Sequence, residues 1–226
     1  MIAHGFFNSK SALLLQELQA ALADEYDIFL LDFRGHGNSG GLFSWTSQEH
    51  LDLEAALSQV EGEYAKIGVV GFSLGGATSL VAASRQARGA RQPGIKIGRM
   101  DSLVAVCSPA AFEKIEYHFW QLDFENDIWY NLAGEGRIGK GVRPGPFWWK
   151  KERPLDVVQQ ISIPILFLHG EKDWLIKPWH SQILYDRAAK YKRLAIIQNG
   201  PHAEYLIRKN KQETIRLIRE WFKETL

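Results

Sequence analysis

Ser73 is the residue whose surroundings most directly suggest chemistry. Residues 71–75 read Gly-Phe-Ser-Leu-Gly, after the apolar run Ile67–Phe72 and before the helix-forming stretch Ala77–Ala83. A G-x-S-x-G sequence between a strand and a helix predicts a nucleophile elbow, a sharp turn that lifts the serine hydroxyl above a sheet. Such a turn strains the central residue and brings backbone so close on either side that no Cβ fits, which accounts for the flanking glycines. A serine hydroxyl is a weak nucleophile at neutral pH. It needs a base within hydrogen-bond reach and a third group to orient that base. The residues just after two other apolar runs supply both. Ile163–His169 is followed by Gly170-Glu171-Lys172-Asp173, and Leu194–Ile197 by Gln198-Asn199-Gly200-Pro201-His202. The expected set is Ser73, Asp173 and His202, with Glu171 competing with Asp173 from the same loop.

Acyl transfer also needs donors aimed at the developing oxyanion, and losing one such donor costs about 2.7–4 kcal/mol of barrier. The backbone N–H of Leu74 is one candidate, because it follows the nucleophile and opens a helix whose positive end faces the charge. The second belongs on a loop after an early strand. Met1-Ile2-Ala3-His4-Gly5-Phe6 reads as a strand end and its turn, which selects the N–H of Phe6.

These residues need a scaffold that brings them to one rim, and the alternation along the chain predicts it. Tyr26–Phe33, Ile67–Phe72, Leu103–Cys107, Ile163–His169 and Leu194–Ile197 read as buried strands. Ser11–Asp24, Ser47–Tyr64, Gly75–Arg88, Pro178–Lys190 and Ala203–Thr225 read as helices, with Thr46 and Glu49 at capping-box spacing and Pro178 suited to a first turn. Strand and helix in repetition predict an α/β fold, a mostly parallel sheet flanked by helices. Ligands of such sheets sit beyond the carboxyl ends of the strands, where the three candidate residues fall. The interval from Ala110 to Ser162 breaks the alternation. The expected organisation is therefore a core of residues 1–109 and 163–226 carrying an inserted aromatic-rich cap, 110–162. Trp120, Trp129 and Trp148, among many aromatics there, are candidates to line an apolar substrate pocket, with a self-contained minicore as the competing use of the same residues.

Composition narrows the function further. The chain has 226 residues, 27 basic and 26 acidic, and a formal charge of +1. It suits one large domain and offers no field for nucleic acid or an anionic membrane, so a small molecule is the expected partner. Cys107 is the only cysteine and lies in an apolar run, which argues against a disulfide framework or a thiolate metal site and fits a reducing cytoplasm. No apolar stretch approaches the roughly 20 residues of a membrane span, and no export signal follows Met1. No cofactor or metal is expected. His4 and His36 read as structural histidines and Asp32 as a loop anchor. A basic cluster that includes Arg143 reads as solvated, with reception of a substrate carboxylate or phosphate as its alternative.

Taken together, His4-Gly5-Phe6, the run Asp32-Phe33-Arg34-Gly35-His36-Gly37-Asn38-Ser39-Gly40, the elbow at Ser73, His169-Gly170-Glu171-Lys172-Asp173 and Gly200-Pro201-His202 resemble the serine α/β-hydrolases, of the esterase and lysophospholipase-like kind. The order Ser73, Asp173, His202 is the one that resemblance implies, and its loop spacing favours Asp173 over Glu171. It implies ester hydrolysis through an acyl-enzyme, with the insertion as a cap. Other chemistry of the same residues (thioester or amide cleavage, acyl transfer, a lyase elimination) and a binding module without turnover remain alternatives. The chain departs from the pattern at its front, where family members place further strands before His-Gly. The strand ending near Phe33 would then form a sheet edge, which predicts pairing with a second copy as a homodimer, or lower stability.

Overall fold

The computed structural model describes residues 1–90, 97–115, 142–189 and 191–226. Strands β1 (Ile2–Ala3), β2 (Leu30–Leu31), β3 (Gly68–Phe72), β4 (Ser102–Val106), β5 (Ile165–Gly170) and β6 (Lys192–Ile197) form one sheet in the order β2-β1-β3-β4-β5-β6. Every pairing is parallel. The connections run through α1 (Leu13–Leu22), α2 (Glu49–Val60), α3 (Leu74–Ala87), α4 (Pro154–Val157) and α5 (Trp179–Arg187), and α6 (Tyr205–Lys209) and α7 (Lys211–Thr225) close the chain. Strand order reverses at β1 and β3, which opens a crevice beyond their carboxyl ends.

Side-chain alternation divides the core between the two faces. Val70, Phe72, Val104, Val106, Leu166 and Leu168 meet Leu15, Leu18 and Leu22 of α1 and Ile218 and Trp221 of α7. Val69, Leu103, Ala105, Ile165 and Phe167 meet Leu53 and Leu57 of α2, Leu80 of α3 and Leu184 of α5. Covering both faces explains why β3, β4 and β5 are continuous apolar runs, each fully buried aliphatic side chain contributing about 1.5–3 kcal/mol. Leu155, Val158 and Ile161 join the second cluster, and Leu155 N–H donates to Ala110 O at 2.9 Å, so the end of the 110–162 interval packs with the sheet layer.

Several local expectations need correction. Only Leu30 and Leu31 of the run Tyr26–Phe33 pair as strand, because β1 offers two partner residues, Ile2 opposite Leu30 and Ala3 opposite Leu31. Among the described residues β2 pairs with β1 alone. The last helix is broken at Asn210, whose φ of −128° and ψ of 38° leave the helical region. Thr46 does not cap α2. Its φ is +72° and its hydroxyl donates to Trp45 O. Gln48 holds the N-cap position without a side-chain cap bond, and Ser44 braces the turn before it, its Oγ accepting from Gln48 N–H at 2.8 Å while its own N–H donates to Glu49 Oε1 at 2.7 Å. Among the described residues, no helix is long and apolar enough to cross a membrane.

Candidate active site

β3 delivers the chain to Ser73 and α3 carries it away at once. Ser73 has φ 48° and ψ −109°, a conformation uncommon for any residue with a Cβ, and its N–H donates to Val106 O at 2.8 Å on the neighbouring strand. The surrounding glycines are required by close approach. A Cβ on Gly75 would lie 2.3 Å from Ala3 O and 2.6 Å from His4 O, and one on Gly71 would lie 2.5 Å from Gly75 O. Contact at Gly75 sets the first turn of α3 directly against the end of β1. Positive φ recurs along this rim at Phe7, Cys107, Asn199 and Ala203, a concentration of backbone strain at the strand ends.

The structure brings Ser73, Asp173 and His202 together from the ends of β3, β5 and β6. Asp173 Oδ2 lies 2.6 Å from His202 Nδ1, and His202 Nε2 lies 3.0 Å from Ser73 Oγ. A carboxylate only accepts, so the imidazole proton sits on Nδ1 and Nε2 is left to accept from the serine hydroxyl. Asp173 is itself fixed, its Oδ1 accepting from Leu175 N–H at 3.0 Å and Ile176 N–H at 2.8 Å. Burial would raise its pKa, but His202 and His169 outweigh burial and hold the carboxyl well below the usual carboxylate range. Glu171 is exposed and accepts from Asn199 N–H at 2.8 Å, bracing the loop that carries His202 rather than reaching its ring.

Of the two expected backbone donors, Leu74 follows Ser73 at the start of α3, and Phe6 lies in the turn after β1. Among the described residues neither N–H has an acceptor. His4 holds the peptide that carries the Phe6 N–H. Phe33 N–H donates to His4 Nε2 at 3.1 Å, so the ring proton is on Nδ1, which lies 2.7 Å from Gly5 O. In a trans peptide, anchoring that carbonyl aims the Phe6 N–H the opposite way. Burial, with His36 nearby, lowers the His4 pKa to about 4 and keeps the ring neutral. Asp32 accepts from Lys10 N–H at 2.7 Å and Asn38 N–H at 3.0 Å, anchoring the following loop.

Of the aromatic candidates, Trp120 and Trp129 lie outside the described residues. Trp148 stands 72% exposed, edge-on to Phe147. The rings beside the Phe6 turn are others: Phe43, with its centroid 5.0 Å from that of Phe6, and Trp45, at 6.0 Å. Their place depends on residues 143–149 lying along residues 35–47. Phe43 N–H donates to Arg143 O, Gly145 N–H to Phe43 O and Trp45 Nε1–H to Gly145 O, at 2.8, 2.8 and 3.0 Å. Arg143 spends its guanidinium on Gly37 O and Ser39 O, which leaves it poorly placed to receive a substrate anion.

Cys107 is the member of the site that sequence reasoning treats as core alone. Its Sγ, an Asp173 oxygen and a His202 ring nitrogen all lie within 4.8 Å of one another. That spacing could admit a metal, yet the groups are committed elsewhere. Burial foremost, then the Asp173 charge, pushes the thiol pKa well up, so Sγ keeps its proton, while Asp173 and His202 bond each other. Its position at the carboxyl end of an apolar run was the available signal.

A sequence profile of the Alpha/beta hydrolase family matches residues 1–206. The protein YfhR of Escherichia coli is 30% identical over 185 residues, covering 79% of this chain and 54% of its own length. YqkD of Bacillus subtilis is 27% identical over 191 residues, covering 79% and 56%. The chain thus spans about half the length of these curated relatives. Among solved structures, an esterase of Pyrococcus furiosus superposes with a TM-score of 0.74 at 22% identity, over 99% of this chain and 80% of that one. A monoacylglycerol lipase of Paleococcus ferrophilus gives 0.71 at 21% identity, over 97% and 91%. Both share the fold.

Proposed function

Because this chain belongs to the alpha/beta hydrolase family, we propose that it is a serine hydrolase cleaving small or medium carboxylic esters through an acyl-enzyme on Ser73. The observation that carries this reading is the continuous relay from Ser73 Oγ to His202 at 3.0 Å and from His202 to Asp173 at 2.6 Å.

His202 Nε2 takes the hydroxyl proton as Ser73 Oγ attacks the ester carbonyl. Asp173 holds the imidazole in the required tautomer and stabilises its charged form. The negative charge gathering on the carbonyl oxygen is met by the N–H groups of Leu74 and Phe6, the first backed by the α3 dipole. Collapse of the adduct expels the alkoxide, which leaves as alcohol with the proton from His202. Water, deprotonated by the same nitrogen, then releases the acid and restores Ser73.

Residues within 110–162, Trp120, Trp129 and Trp148 among them, would cap the acyl side, with Phe43 and Trp45 walling the oxyanion turn. The partner is a small-molecule ester, and the buried Cys107 suits a reducing cytoplasm. Ser73→Ala tests the whole reading: it should fold normally, lose ester hydrolysis by at least 10³-fold, and resist a fluorophosphonate that labels the wild type. Undiminished turnover by this variant rejects it.

A further inference from the structure

Glu204 lies two residues past His202, and nothing in the acyl-transfer scheme uses it. Its carboxylate is buried and accepts the N–H of Gly5 at 2.7 Å, a contact between residues 199 positions apart. A carboxylate buried at this depth needs a partner that offsets its desolvation, and among the described residues that partner is the Gly5 backbone amide, in the turn leading to Phe6. The contact is close: a Cβ on Gly5 would lie 2.8 Å from Glu204 Oε1, so the carboxylate would have to move away from the amide it accepts. His4 already anchors the Gly5–Phe6 peptide through its carbonyl. Glu204 holds the preceding His4–Gly5 peptide by its N–H. Two consecutive peptide planes are thus pinned by side chains from different parts of the chain, and rotation about Gly5, the freest residue of the turn, is blocked from both sides.

We propose that Glu204 is a positioning residue for the oxyanion donor, setting the direction of the Phe6 N–H and keeping that turn in register with the loop that carries His202. The inference rests on the proposed serine mechanism. Glu204 touches neither substrate nor the reacting atoms. Its contribution appears when charge develops on the carbonyl oxygen, because a donor displaced by about an ångström forfeits on the order of 10²-fold in rate.

The test compares wild type with Glu204→Gln, Glu204→Ala, Gly5→Ala and the double variant Gly5→Ala/Glu204→Ala, using p-nitrophenyl acetate and butyrate. Glu204→Gln retains an amide oxygen at the Oε1 position and should keep activity within about threefold. Glu204→Ala should lower kcat by about 10- to 100-fold with KM within twofold. Its affinity for a trifluoromethyl ketone, which forms a tetrahedral adduct on Ser73, should fall by the same factor. Gly5→Ala pushes the carboxylate aside and should reproduce the defect, so the double variant should lose little more than either single change. A purely structural role would lower the unfolding midpoint and leave kcat and ketone affinity of the folded fraction intact; that result overturns the proposal, as does a defect in Glu204→Gln equal to that in Glu204→Ala. Should Glu204→Ala not fold, the Gly5→Ala result decides by the same criteria. A wild type that neither turns over these esters nor is labelled at Ser73 defeats the serine mechanism itself, and this inference with it, whereas full activity in Glu204→Ala defeats the inference alone.

Discussion

Cys107 lies with its Sγ within 4.8 Å of an Asp173 carboxylate oxygen and is closed off from solvent. Burial first, and the Asp173 charge second, keep the thiol protonated, so that it can offer Asp173 only a weak S–H donor. Native protein should therefore be inert to Ellman's reagent at pH 8 over an hour and release one equivalent on denaturation in urea. Stoichiometric reaction in the folded state within minutes would show that the thiol is neither buried nor neutral.

The glycines around the elbow separate close approach from mere flexibility. A Cβ at Gly75 meets two backbone carbonyl oxygens of β1 and its turn, neither of which can swing away. At Gly62 the same addition meets nothing within 4 Å and no positive φ is involved. Gly75→Ala should lower unfolding free energy by roughly 3 kcal/mol or more, while Gly62→Ala should be neutral or stabilising by up to about 1 kcal/mol. Urea denaturation of both variants checks the contrast, and equal midpoints would sink it.

The buried histidines predict a pH dependence of stability with a definite sign. In the unfolded chain His4 titrates at its ordinary value of 6.5, while in the folded protein burial and then His36 hold it at about 4. Between those values the unfolded state binds a proton that the folded state refuses. Stability is therefore full above about pH 6.5 and declines as pH falls toward 4, with a loss from His4 on the order of 3 kcal/mol. His50, lowered to about 4 by burial and Arg85, acts in the same direction. Asp173 adds a second loss below its ordinary 3.8: burial favours its protonated form, but His202 and His169 hold its folded value lower, so there too the unfolded chain takes up a proton that the folded protein refuses. Urea midpoints measured at pH 7.5, 6, 5 and 4 should fall steadily. A flat profile across that range contradicts the buried, neutral state of His4.

How much of this was legible in the sequence varied with how local the cause was. Runs such as Val69–Phe72 and Leu103–Val106 announce themselves because both faces of those strands are covered. Their ends could then be searched for Ser73, Asp173 and His202, which the structure joins at hydrogen-bond distance. By contrast, the pairing of only Leu30 and Leu31 depends on how many residues β1 presents. Thr46 is turned away from the start of α2 because the backbone at Trp45 and Thr46 takes positive φ, which nothing in their types requires. Trp45 and Phe43 gain their place beside Phe6 only once residues 143–149 lie against them. Glu204 is the extreme case, with its partner 199 residues away and no periodicity or spacing to point at it.

The contact of Gly75 with the carbonyls of Ala3 and His4 has a mechanical corollary. It seats the first turn of α3 directly against the end of β1, leaving no room for a side chain between them. The imidazole arrives from the opposite half of the sheet, and the Gly5–Glu204 bond closes the ring between the halves. A framework braced in a circuit has no free end at which slack can gather. Adaptation to bulkier substrates should therefore arise through residues outside the circuit, in the walls around Phe43 and Trp45, before it arises within it.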